Sequence, residues 1–130
     1  MEGKLASDNL NRITGSIVDA AIDVHRELGP GLLESAYETC LAHELAERGL
    51  TVQRQIALPI RYKGLLLDDG YRIDLLVSKK VVVELKVVDM IKSVHKAQLL
   101  SYLKLSNCPV GLLINFNEYQ LKRGIKRFVN

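Results

Sequence analysis

The stretch Val81-Val82-Val83-Glu84-Leu85-Lys86-Val87-Val88 carries the strongest β signal in the chain, and its two charges decide how the rest is read. A run so rich in valine suits a central strand buried on both faces. An unpaired carboxylate or ammonium there costs several kcal/mol or more, so the strand keeps its charges only if they pair, bind a metal or face a cleft. Alternation along the strand puts Glu84 and Lys86 on one face and Val83, Leu85 and Val87 on the other.

The segment before it repeats the anomaly. Asp74 interrupts Ile73, Leu75, Leu76 and Val77, and the turn at Ser78-Lys79-Lys80 makes the two segments antiparallel neighbours. Asp74 then converges on Glu84. Two close carboxylates repel and raise a pKa unless a cation sits between them, and an oxygen-only pocket suits a hard divalent ion such as Mg²⁺. Lys86 would lie beside water activated there.

Working outward, apolar residues recur with helical spacing at Leu10, Ile13, Ile17, Ala21, Val24 and Leu28, behind a predicted N-cap at Asp8. Residues 1–8 are expected to be a flexible start. Gly29-Pro30-Gly31 ends that helix, and a second is predicted from about Leu33 to Arg48, stopped by Gly49. The period then changes to two. One strand is expected from Val52 to Tyr62, with Pro59 marking an edge or bulge, and turns at Lys63-Gly64 and Asp68-Asp69-Gly70 set off Leu65–Leu67 and Tyr71–Val77. A helix over about Met90–Leu105, a buried strand at Val110–Asn115 and a strand or irregular tail through Arg127 complete the order αα-βββ-α-β, an α+β single domain.

Composition fits one globular domain: 130 residues, 48% hydrophobic and 25% charged. No apolar run approaches the ~18 residues of a membrane span, and the start lacks the basic-then-apolar run of a secretory signal, so no membrane partner and a cytoplasmic location are expected. Cys40 and Cys108 lack metal or disulfide spacing and are expected as small core residues. The formal charge of +3 does not by itself imply nucleic acid. Its distribution says more, since Lys122, Arg123, Lys126 and Arg127 crowd the last nine residues as candidate phosphate contacts, with a solvated surface as the plain alternative.

An acidic residue on one strand, Glu-x-Lys on the next and a helix after it resembles the PD-(D/E)XK nuclease superfamily. Within it, Gly31-Leu32-Leu33-Glu34-Ser35-Ala36-Tyr37 is similar to the motif of the GxxExxY proteins. His95-Lys96-Ala97-Gln98-Leu99-Leu100-Ser101-Tyr102, Gly111–Phe116 and Leu121–Arg127 resemble later segments of that branch, so the likeness covers nearly everything after Ile13. It implies a restriction-endonuclease-like fold, a central mixed sheet flanked by helices. It further implies Asp74 and Glu84 as metal carboxylates, the Leu85 backbone carbonyl as a further ligand, Lys86 as the catalytic lysine and Glu34 as support for the metal or its water. Gln98 and Tyr102, one helical turn apart, resemble the Gln-x-x-x-Tyr element that faces the site in RecB-type members. Ile73 stands where the name-giving proline would be.

The expected reaction is phosphodiester hydrolysis with Mg²⁺, for which Mn²⁺ substitutes. DNA is the expected partner, with RNA left open because phosphate contacts do not identify the sugar. The alternative is a nucleic-acid-binding or protein-interaction module that keeps the fold without turnover. A chain this short leaves little room for a recognition domain, so a homodimer or an accessory protein would supply specificity. Some residues carry ordinary structural readings too. Glu34 also suits a helix N-terminus, with Glu44 as its rival for the inward position. Gly31 also reads as a plain turn residue and Tyr37 or Tyr102 as core, His95 has both a cleft and a surface reading, and His25 and His43 lack ligand-like company.

Overall fold

The computed structural model describes residues 2–68 and 70–130. Helix α1 (Glu2–Leu28) begins six residues before the expected cap at Asp8; Met1 lies outside the described residues. Glu2, Lys4, Leu5 and Ala6 are good helix formers, and one cap-type residue does not force a start behind them. Helix α2 (Glu34–Glu47) returns alongside α1 after a corner in which Gly29 and Gly31 take φ of +67° and +102°, a region that favours glycine. Tyr37 fastens this corner. Its hydroxyl donates to the Gly29 carbonyl and accepts the Leu32 N–H, while its ring stacks on Phe116 with centroids 4.4 Å apart.

Five strands form the main sheet: β1 (Val52–Ala57), β4 (Arg72–Val77), β5 (Val81–Lys86), β6 (Val110–Asn115) and β7 (Ile125–Val129), in the order β1-β4-β5-β6-β7. Only β5 and β6 pair in parallel, connected through α3 (Ser93–Ser106), so the sheet is mixed. One face, with Leu75, Val83, Leu85 and Leu112, packs against α1 and α2. The other, with Val82 and Leu113, packs against Leu99, Tyr102 and Leu103 of α3. Helix α3 sits close because Gly111 offers no side chain: a Cβ there would meet Leu99 Cδ1 at 2.9 Å.

Two elements differ from the expected order. The single strand foreseen for Val52–Tyr62 divides at Leu58-Pro59, since Leu58 N–H still bonds Tyr71 O at 2.8 Å but Pro59 has no N–H with which to continue a ladder. The chain then forms a separate hairpin, β2 (Ile60–Tyr62) with β3 (Leu65–Leu67), closed by Lys63 and Gly64 at φ of +46° and +84°. The tail is a true strand. A 3-10 turn at Leu121–Gly124 sets up β7, and Gly124 fits where a Cβ would lie 2.6 Å from the Asn115 carbonyl oxygen.

Candidate active site

The β4–β5 ladder runs Val77↔Val81, Leu76↔Val82 and Leu75↔Val83, then ends before Asp74 and Glu84. On the other side of β4 the pairing passes from Arg54↔Leu75 to Ile56↔Ile73 and omits Asp74 and Gln55. Gln55 has φ of +50°, a left-handed conformation that costs a non-glycine residue about 1–2 kcal/mol. Side chains replace the missing ladder. Asp74 N–H donates to Glu84 Oε2 at 2.8 Å, Leu85 N–H donates to Asp74 Oδ2 at 2.9 Å, and Gln55 Nε2 donates to Asp74 Oδ1 at 3.3 Å. Because a strand residue's N–H and C=O project to the same side, the Leu85 carbonyl lies on the β4 side of its strand.

The electrostatics are unbalanced in one direction. Glu84 is only 4% exposed, and burial, followed by the charge of Asp74, pushes its carboxyl up to about 8. Burial likewise raises Asp74, against the pull of the Leu85 N–H. Lys86 is the cation that recurs around these acids; its Nζ donates to Gln98 Oε1 at 3.2 Å. Tyr102, buried on α3, is raised by burial and then by the charges of Glu84 and Asp74. Asp74, Glu84, Lys86, Gln98 and Tyr102 therefore share one neighbourhood.

Glu34 reaches it only at the margin. It is exposed on the first turn of α2, raised by burial and by the charges of Asp74 and Glu38, with Lys86 opposing. One turn later, Glu38 is 8% exposed and fully engaged: Arg54 Nε and Nη2 donate to its Oε2 at 3.2 and 3.0 Å, and Gln55 Nε2 donates to its Oε1. Gln55 thus bridges Glu38 and Asp74. The rival Glu44 instead pairs with Arg48 at 3.2 Å. His95 Nδ1 accepts the Lys92 N–H at 2.9 Å, which closes the first turn of α3. Among the four basic tail residues, Lys126 pairs across from Leu113 and Arg127 from Leu112, so successive positions face opposite sides of the sheet; Arg127 bonds Asn11 of α1 at 3.1 Å. The tail is not one patch.

Glu38, Arg54, Gln55 and Asn115 were not singled out from sequence. The first had a signal, being four residues after Glu34 on the same helix face. Asn115, 1% exposed, pins the chain just past Lys86 through Val88: its Oδ1 accepts the Val88 N–H at 3.1 Å and its Nδ2 donates to Val88 O at 2.8 Å. Nothing in the sequence marks it apart from its place at a strand end.

Among the described residues, no three or more His, Cys, Asp or Glu side chains surround a common metal position. Two carboxylates and a backbone carbonyl on the same side of the strand, all oxygen and short of positive charge, are nevertheless a donor set that suits a hard divalent cation. A mixed five-stranded sheet between helices, with acids at the fork of its antiparallel strands, defines an α+β restriction-endonuclease-like domain. A family model for the PD-(D/E)XK nuclease superfamily matches residues 11–128, and the chain belongs to that superfamily. No curated protein and no solved structure matches it. The superfamily implies a nucleic-acid substrate, and its nucleases generally use divalent metals. Among the described residues, no helix is long and apolar enough to cross a membrane.

Proposed function

We propose that this protein is a Mg²⁺-dependent nuclease of the GxxExxY branch, hydrolysing phosphodiester bonds in DNA in preference to RNA, with Mn²⁺ able to substitute. The branch rests on the Gly31–Tyr37 motif and the later segments around Gln98 and Tyr102. The observation that carries the reaction is the Asp74–Glu84 pair. Two carboxylates, Glu84 buried and Asp74 half-buried, held by the backbone N–H groups of Asp74 and Leu85 respectively, with the Glu84 carboxyl raised to about 8, form a site that a divalent cation would relieve.

Asp74, Glu84 and the Leu85 carbonyl would hold the ion, and Glu34 would support it or its water from the margin. When bound, the ion supplies Lewis acidity toward the phosphate and toward water. The chain's own part is positioning. Lys86, its ammonium oriented by Gln98 Oε1, steers the attacking water and offsets charge developing on the phosphoryl oxygens, while Tyr102 borders the same space. Water forms the new P–O bond as the ester P–O bond breaks, and the leaving oxygen takes up a proton.

A second reading, a binding module without turnover, draws on one observation: both carboxylates already accept backbone N–H groups. Assays on linear duplex, circular duplex, single-stranded DNA and RNA with Mg²⁺ or Mn²⁺ separate the two. Cleavage by wild type that disappears in Lys86→Ala and Glu84→Gln supports the nuclease. Binding without cleavage, or a trace activity equal in all three proteins, overturns it.

A further inference from the structure

Residues two apart on a strand share a face, yet β1 and β4 both break that rule at one point. Leu75 joins the core under α1 and α2, whereas Ile73 joins the core under α3. Their partners change sides with them: Arg54, opposite Leu75, reaches Glu38 of α2, while Ile56, opposite Ile73, packs on the α3 side. The register is continuous from Arg54↔Leu75 to Ile56↔Ile73, so no residue has been inserted. Both strands turn over at the position between, where Gln55 stands opposite Asp74 with φ of +50°. The turn decides where Asp74 points. A side chain perpendicular to a sheet points away from N–H groups, which lie in its plane, but Asp74 Oδ2 accepts the Leu85 N–H of β5 at 2.9 Å. Asp74 thus lies in the fork between β4 and β5 rather than over either core.

We propose that Gln55 is a positioning residue, which turns Asp74 into the fork and holds its carboxylate there for a divalent cation; the cation's part rests on the function proposed above. Gln55 adopts a left-handed backbone that glycine and asparagine tolerate better, and its partners keep it there. Arg72 Nη1 donates to its carbonyl oxygen at 3.2 Å. Its side-chain amide donates to Glu38 Oε1 and, at 3.3 Å, to Asp74 Oδ1. Glu38 is anchored in turn by Arg54, whose Nε and Nη2 donate to Oε2. The two amide hydrogens therefore tie Asp74 to a carboxylate that is already paired and fixed on α2. An amide suits this place. A glutamate there would repel both acids, and a cation would neutralise Asp74 and compete with a metal ion. With Oδ1 held by Gln55 and Oδ2 by Leu85, the plane of the Asp74 carboxylate is set before any ion arrives, without added charge.

Gln55→Gly and Gln55→Asn both suit φ of +50°, so they keep the backbone turn while removing or shortening the amide. Calorimetry of the full chain with Mn²⁺ should show affinity falling about 10- to 100-fold in both, with melting temperatures in chelator close to wild type. Crystals of Gln55→Gly grown in chelator should show the Asp74 carboxylate rotated off the Leu85 N–H or spread over several conformers. Gln53→Gly, on the same strand, should do the reverse, lowering the melting temperature and leaving Mn²⁺ affinity alone. Unchanged affinity in both Gln55 variants overturns the proposal. So does a loss of affinity that only tracks a fall in melting temperature, or one that Gln53→Gly reproduces. Wild type that takes up no Mn²⁺ would remove the ion from the proposed function, and the crystals alone then decide on Gln55: a displaced carboxylate upholds its hold on Asp74, and an unmoved one overturns it.

Discussion

The ammonium of Lys86 donates to the side-chain carbonyl of Gln98 at 3.2 Å, across the space between the centre of the sheet and the helix that covers it. The lysine is thereby oriented from outside its own strand, and in the proposed reaction Gln98 would act as a positioning residue. Gln98→Leu keeps much of the side-chain volume and removes the acceptor. In single-turnover cleavage it is expected to lower kcat about 10- to 100-fold with little change in KM, whereas Lys86→Ala should lose about 10³-fold or more. Equal rates for Gln98→Leu and wild type would show that the lysine needs no such support.

Glu84 gives a pH dependence whose sign is fixed by its shift. Its carboxyl sits at about 8 in the folded chain against the ordinary 4.5, so between those values the folded state binds more protons than the unfolded one. Stability without metal is therefore greatest in the acid part of the window and falls as pH rises from about 4.5 through 8. The loss is on the order of 5 kcal/mol at most. Urea titrations in chelator should show wild type weakening over that range and Glu84→Gln responding much less, ending more stable than wild type at pH 8 to 9. A flat wild-type profile would mean that the carboxyl is not raised.

Divalent binding and Glu84 ionisation should be linked. Mg²⁺ or Mn²⁺ must displace the proton that the folded chain retains, so calorimetry at pH 6 should report weaker binding and more proton release than at pH 8. Melting temperature should rise on adding metal, and more so at the higher pH. Asp74→Ala should abolish both effects; unchanged binding in that variant would remove Asp74 from the metal set.

Tyr37 offers a test of the scaffold alone. Tyr37→Phe retains the stack on Phe116 but leaves the Gly29 carbonyl and Leu32 N–H without the hydroxyl. A loss of about 1–2 kcal/mol is expected in denaturant unfolding, with the slope of the transition unchanged.

Strand alternation in Val81–Val88 and the turn at Ser78-Lys79-Lys80 were enough to put Glu84 and Lys86 on one face and Asp74 beside them, because those relations are local. The pairing of Gln98 with Tyr102 was legible for the same reason, one turn of one helix. What the sequence hid depends on partners far apart along the chain. Glu38 matters through Arg54 and Gln55, which lie 16 and 17 positions away, and Asn115 through Val88, 27 positions away. The hairpin was hidden differently. Pro59 was legible as an interruption, but alternation continues through Ile60 and Tyr62, and pattern alone cannot tell a bent strand from one that leaves its sheet. Lys126 and Arg127 are neighbours in the sequence, but the strand sets them on opposite faces of the sheet.

The gap in the ladder at Asp74 makes Leu85 a built-in indicator. Its amide hydrogen is held by Asp74 Oδ2 in place of a backbone carbonyl of the neighbouring strand. An ion that claims that oxygen takes it from the amide, and the exchange rate of a single hydrogen in the middle of the sheet then reports what the carboxylate is doing.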